Sequence, residues 1–83
     1  MKRQPNHSHV TPLIEAAITI AGSEAKLGKL AGFSQNAIWY SKRYGRCSAE
    51  LAIGIERATR GAIDRSRLRP DLFHPEEQAK DVA

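Results

Sequence analysis

Apolar residues recur along the first half of the chain at intervals of three and four, the spacing that places them on one face of a helix. A first helix is predicted after Thr11 and Pro12, a cap followed by a proline at the first helical position, and Gly22 ends it. Ser23 caps a second helix, which stops at Gly32. The predicted buried residues of these two helices are Leu13, Ile14, Ala17, Ile18, Ala21, Leu27, Leu30 and Ala31.

The same pattern predicts two further helices and a short turn in the second half. Ser34 caps the third helix, Ser48 caps the fourth, which runs towards Gly61, and Asp64 caps the turn. The predicted buried residues of this half are Leu51, Ala52, Ile55, Ala58, Ile63, Leu68, Leu72 and Phe73. Because no segment shows convincing strand alternation, we expect an all-α fold, a compact domain of four to five helices.

The segment LAGFS joins the second and third predicted helices and indicates a helix-turn-helix unit. Gly32 can adopt the left-handed conformation that a sharp reversal needs, and Phe33 can bury itself under the turn. Gly28 carries no side chain, which allows the two helices to approach closely. These two helices are therefore expected to form one rigid unit.

The third predicted helix, from Ser34 to Arg43, has two chemically different faces. One face is small or apolar and is expected to pack inward: Ser34, Ala37, Ile38 and Ser41. The opposite face is polar and aromatic: Asn36, Trp39, Tyr40 and Arg43, with Gln35 and Lys42 on its flanks. The large aromatic residues are thus predicted to point away from the core.

This outward face has the chemistry that the major groove of DNA requires of an inserted helix. Amide side chains can recognise adenine, basic side chains can recognise guanine or phosphate, and aromatic rings can contact the methyl group of thymine. The predicted base contacts are Gln35, Asn36, Trp39, Tyr40 and Arg43. The predicted phosphate contacts are Ser34, Lys26, Lys29, Lys42 and Arg46. We therefore expect sequence-specific binding to a double-stranded DNA operator.

An alternative reading of the aromatic pair remains open. Trp39 could pack against the domain or anchor an interface with a second copy or a protein partner, because aromatic residues often dominate such interfaces. The alternative function is a protein-interaction module, an antitoxin or antiactivator, that uses the face of Trp39 and Tyr40 to bind its partner.

Length and charge place the candidate site within one small domain. The chain has 83 residues and a net charge of +4, and between residues 23 and 46 five cations stand against Glu24 alone. Such a local excess of positive charge suits a polyanionic partner. We expect a flexible basic tail over residues 1–11, the DNA-binding domain over 12–73 and a mildly acidic tail over 74–83.

The sequence carries no pattern typical of an enzyme, a cofactor site or a metal site. It has no glycine-rich phosphate loop and no histidine pair at metal-ligand spacing, and its single cysteine excludes an internal disulfide. No apolar run is long enough for a membrane span, so we expect a cytoplasmic protein, associated with the bacterial nucleoid when bound. Cys47 is expected to be a buried thiol that reagents modify slowly in the folded protein.

Four segments carry a resemblance to a known family, over about Leu13 to Phe73. They are Gly22-Ser23, LGKLAGFSQ, the IERAT run followed by Gly61, and the terminal LRPDL. In these segments the chain resembles the Cro-like helix-turn-helix regulators, and more closely the YdaS-type antitoxin family of phage and prophage origin. The resemblance implies a lambda-repressor-like fold and a repressor that binds a short pseudo-palindrome as a homodimer. It also places on the DNA-facing side of the recognition helix Ser34, Gln35, Asn36, Trp39, Tyr40 and Arg43.

The chain departs from the family pattern at three places. Ser41 stands where relatives often carry tryptophan, Cys47-Ser48 where they carry valine and proline, and Ala31 where leucine is frequent. In LRPDL we expect Pro70 to stop the last helix and Asp71 to pair with an arginine or a free amide. Packing behind the recognition helix is therefore expected to differ from that of the relatives.

Overall fold

A computed structural model describes residues 9–73, which contain five helices and no strand. The helices are α1 Val10–Ala21, α2 Glu24–Ala31, α3 Gln35–Tyr44, α4 Ala49–Ala58 and α5 Arg65–Leu68. The all-α fold predicted from the apolar pattern is confirmed. The expected tails, apart from residues 9–11, lie outside the described residues.

Local hydrogen bonds define where four of the helices begin. The side chains of Ser23, Ser34, Ser48 and Asp64 each accept a hydrogen bond from the backbone N–H three residues later. Each bond satisfies a donor that the first helical turn leaves unpaired. The four caps are those that the sequence predicts.

The start of α1 differs from the prediction. The helix begins at Val10, which is fully buried, and His9 precedes it without a side-chain capping bond. Thr11 is not a cap: its hydroxyl donates a 2.8 Å hydrogen bond to the backbone carbonyl of Lys42 in α3. Pro12 still fits, because amides in the first turn of a helix have no partner within the helix. Thr11 therefore fixes α1 to α3 instead of capping α1.

The helices surround one core with fully buried residues from α1 to α5. Its largest fully buried side chains are Ile14, Leu27, Ile38, Ile55, Leu68 and Val10. Phe33 and Phe73 are partly buried and pack against this core. The core holds α2 and α3 in the helix-turn-helix arrangement.

Two residues predicted to be buried are exposed. Leu30 is 53% exposed and Leu72 is 47% exposed. At 100° per residue, the buried arc of α2 is set by Leu27, Gly28 and Ala31, and Leu30 lies beyond its edge. Leu72 lies in the turn after α5, which directs Phe73 towards the core instead.

The turn between α2 and α3 has the close approach that its glycines predict. The Phe33 N–H donates a 2.7 Å hydrogen bond to the carbonyl of Gly28, and a β-carbon on Gly28 would stand 2.8 Å from the Phe33 carbonyl oxygen. Gly32 has a φ of +85°, in the left-handed region that disfavours other residues. Both glycines are therefore needed to set the angle between α2 and α3.

Candidate nucleic-acid interface

Helix α3 is held from its inner side, which leaves its outer side open. The side chain of Ile38, on the inner side of α3, is fully buried, and the backbone carbonyl of Lys42 accepts the hydrogen bond from Thr11. Ser34, which was expected to pack inward, is exposed, and its hydroxyl accepts a 3.1 Å hydrogen bond from the amide of Ala37 as the cap of the helix. Contacts with both α1 and α2 thus fix the direction of α3.

The outward face of α3 is exposed as the sequence predicts. All five residues proposed to contact bases are exposed: Gln35, Asn36, Trp39, Tyr40 and Arg43. Trp39 is 41% exposed and Tyr40 is 59% exposed, so neither ring belongs to the core. The five side chains lie along one helix, from its first residue to its penultimate one.

A third aromatic residue, Tyr44, extends this face. Its ring centroid lies 5.2 Å from that of Tyr40 and 6.4 Å from that of Trp39, and the centroids of Trp39 and Tyr40 are 5.6 Å apart. The Arg43 guanidinium carbon lies 5.5 Å from the centroid of the Tyr44 ring. Sequence reasoning missed Tyr44, although its position four residues after Tyr40 on a helix was a signal for it. We call Trp39, Tyr40 and Tyr44 the aromatic cluster.

The predicted phosphate contacts fall into two groups. Lys26 and Lys29 on α2, and Arg46 after α3, are exposed. Lys42 is only 29% exposed, and its ammonium lies 2.5 Å from a carboxylate oxygen of Glu24. The hydrogen bond from Lys42 lowers the pKa of the Glu24 carboxyl below its ordinary value. The positive charge of Lys42 is thus partly neutralised within the domain.

A groove of about 640 Å³ runs beside α3, between this helix and the start of α4. Its lining includes Tyr40, Arg46, Ser41, Cys47 and Ser48. The last three are positions expected to depart from the family pattern, and they lie on one surface next to α3, whereas the fourth such position, Ala31, is buried in the core.

The C-terminal turn closes one end of this groove. Arg69 forms two hydrogen bonds with Asp71, of 2.9 and 2.6 Å, and donates a third, of 2.8 Å, to the carbonyl of Cys47. Asp71 thus pairs with an arginine, one of the two partners expected. The paired arginine ties the LRPDL segment to the loop between α3 and α4.

Cys47 is buried, as expected, with 6% of its surface exposed. Burial raises the pKa of its thiol to about 12, and the nearby Arg69 opposes this only in part. A thiol with such a pKa is almost wholly protonated near neutral pH and is a poor nucleophile.

Residues 9–73 contain no group of three metal-ligating side chains. In the same part of the chain, no helix is long and apolar enough to cross a membrane.

Comparison with known proteins assigns the chain to a family. The model of the family described as bacterial toxin YdaS matches residues 14–77, most of the chain. Neither the search of curated proteins nor that of solved structures gave a match. The family match confirms the resemblance to the YdaS-type family that the four sequence segments carry; the resemblance to the Cro-like regulators stays a prediction. The chain belongs to the YdaS family.

Proposed function

We propose that this YdaS-family protein is a sequence-specific DNA-binding regulator of transcription that acts as a repressor. Helix α3 enters the major groove, and a second copy of the chain occupies the other half of a short pseudo-palindrome. Repression follows from occlusion, because the bound dimer covers its operator. The protein acts in the bacterial cytoplasm, on the nucleoid.

The observation that supports this proposal best is the outward face of α3. Gln35 and Asn36 stand exposed in its first turn, the part of a recognition helix that contacts base edges. Arg43 and the aromatic cluster continue the same face. Amides can form paired hydrogen bonds with adenine, and arginine can do so with guanine.

Exposed cations flank this face on both sides along the chain. Lys26 and Lys29 precede α3, and Arg46 follows it. These side chains are proposed to bind phosphates, which supplies affinity and orients α3 without selecting a sequence. The proposal needs no catalytic group and no cofactor.

Selection from a pool of random duplex DNA tests the proposal. The purified full-length protein is incubated with the pool at about physiological salt, and the retained DNA is sequenced. We expect a two-fold-related motif with half-sites about one helical turn apart. A double variant, Gln35→Ala with Asn36→Ala, serves as the control and is expected to lose the motif. Weak, salt-sensitive retention without any motif would contradict the proposal.

A second candidate function rests on the aromatic cluster. Three exposed rings within 6.4 Å of one another form a surface that suits a protein hot spot as well as a groove of DNA. In this alternative the chain is an interaction module of a toxin-antitoxin or antiactivator type, which accords with the toxin in the family description. Salt dependence separates the two, because phosphate binding weakens steeply with salt and an aromatic protein contact changes little.

A further inference from the structure

Glu24, the first residue of α2, contacts residues near both ends of the face that α3 presents. One of its carboxylate oxygens accepts a long hydrogen bond, 3.5 Å, from the side-chain amide nitrogen of Gln35. The other oxygen lies 2.5 Å from the ammonium of Lys42. Gln35 is the first residue of α3 and Lys42 lies two turns further on. A single carboxylate therefore links the two helices of the helix-turn-helix unit.

The contact with Gln35 favours one orientation of its amide group. A carboxylate can only accept hydrogen bonds, so the nitrogen of the Gln35 amide must face Glu24. The amide oxygen and the second N–H of Gln35 are then left for another partner. This acceptor and donor match the amino group and N7 of adenine. Without the carboxylate, the amide could rotate and lose this orientation.

The contact with Lys42 has a different consequence. The side chains of Lys42 and Glu24 are only 29% and 19% exposed, so water screens this pair less than it screens the exposed cations. A lysine that is hydrogen-bonded to a carboxylate must give up that partner before it can bind a phosphate. Lys42 thus differs from Lys29 although both are lysines of the helix-turn-helix unit.

We propose that Glu24 is a positioning residue for DNA recognition, which orients the Gln35 amide for a base and withholds Lys42 from the phosphates. This inference rests on the proposed function. In this role an acidic residue on a basic surface contributes to specificity, because Glu24 lowers the affinity for all DNA while it favours one base.

Two substitutions of Glu24 separate these two effects. Glu24→Gln keeps an oxygen that can accept from Gln35 but removes the charge that holds Lys42. We expect it to retain the base preference and to bind random DNA more tightly, with a salt slope steeper by about 0.9, the change for one phosphate contact. Glu24→Ala removes both contacts. It is expected to give the same steeper slope and also about a two- to threefold loss of preference at the base that Gln35 contacts, since the amide would then populate other orientations.

Matched controls exclude indirect explanations. Glu50→Gln makes the same change of charge in the first turn of α4, at an exposed position, and should leave the salt slope within error of the wild type. In a Gln35→Ala background, Glu24→Ala should change the base preference no further. Thermal unfolding of each variant identifies any that do not fold.

Lys42→Met tests, without altering Glu24, whether Lys42 contacts a phosphate. Because Glu24 is proposed to keep Lys42 away from the phosphates, this variant should leave the salt slope of DNA binding unchanged.

The outcomes distinguish this inference from the proposed function. If the wild type selects no motif, the proposed function is wrong and the role of Glu24 falls with it. If the wild type selects a motif and Glu24→Ala keeps the same base preference and salt slope, only the role of Glu24 is overturned. A flatter slope for Lys42→Met would also overturn it, since Lys42 would then already bind phosphate.

Discussion

Gly54 in α4 lies directly against the backbone of Ala31 in α2. A β-carbon added to Gly54 would stand 2.5 Å from the carbonyl oxygen of Ala31 and 3.1 Å from its β-carbon. Because the first of these neighbours is backbone, the whole of α2 or α4 would have to shift. The small side chain at position 31 is thus matched by the absence of a side chain at position 54.

This contact predicts the effect of substituting Gly54. Alanine has a higher helix propensity than glycine by about 1 kcal/mol, so replacing a glycine by alanine on the solvent-exposed side of a helix usually stabilises the protein. At Gly54 we expect the opposite, a loss of about 1–3 kcal/mol in the free energy of unfolding, as for other overpacked sites. Urea unfolding measures it. A gain in stability from Gly54→Ala would show that α2 and α4 are not in close contact.

Trp39 provides a second prediction, which decides between packing and surface roles. Because Trp39 is 41% exposed and its ring contacts those of the exposed Tyr40 and Tyr44, Trp39→Ala should lower the free energy of unfolding by less than about 1.5 kcal/mol. It should nevertheless weaken binding to the selected operator. Urea unfolding of the variant gives the change in the free energy of unfolding, and DNA titration of the same sample gives the change in affinity for the operator. A loss of stability of more than about 3 kcal/mol, typical of a buried aromatic residue, would instead assign Trp39 to the core.

Cys47 gives a prediction of pH dependence. Burial raises the pKa of its thiol from 9.0 to about 12, so the folded protein holds this proton more tightly than the unfolded chain does. The unfolded state therefore releases its proton first, and the free energy of unfolding should fall as the pH rises above about 9. The full contribution of the thiol is present below that pH. Cys47→Val lacks this titration, so the difference in stability between the two proteins should change from about pH 9 upwards, towards the folded-state pKa of about 12.

Thiol labelling checks the same environment independently. In the native protein near neutral pH, reagents should modify Cys47 slowly, and urea should make the reaction fast. Fast stoichiometric labelling without denaturant would mean that the thiol is accessible and that the pH effect has another origin.

The sequence predicted those features of the fold that depend on neighbours along the chain. The caps Ser23, Ser34 and Ser48 were correct because a capping bond joins residues only three positions apart. Leu30 was placed inside wrongly, since its burial depends on where the neighbouring helices cross α2. Thr11 was assigned as a cap for a similar reason, because its true partner lies 31 residues away.

For the candidate site, too, the sequence predicted the features within one helix but not the contacts between helices. Helical periodicity is enough to place Gln35, Asn36 and Trp39 on one exposed face. The partnership of Glu24 with Lys42 was not predicted, because it depends on the angle at which α2 meets α3. Tyr44 was missed because sequence reasoning treated it as part of the connection after the helix, whereas α3 ends at this residue.

The measurement that tests the central proposal most directly is a comparison of α3 variants on two DNA duplexes, the selected operator and a scrambled sequence. Gln35→Ala or Asn36→Ala should cost roughly 1–3 kcal/mol on the operator and little on the scrambled duplex. Lys29→Ala should weaken binding to both duplexes alike, because a phosphate contact carries no sequence information. Equal losses on the two duplexes for Gln35→Ala and Asn36→Ala would contradict the claim that α3 recognises bases.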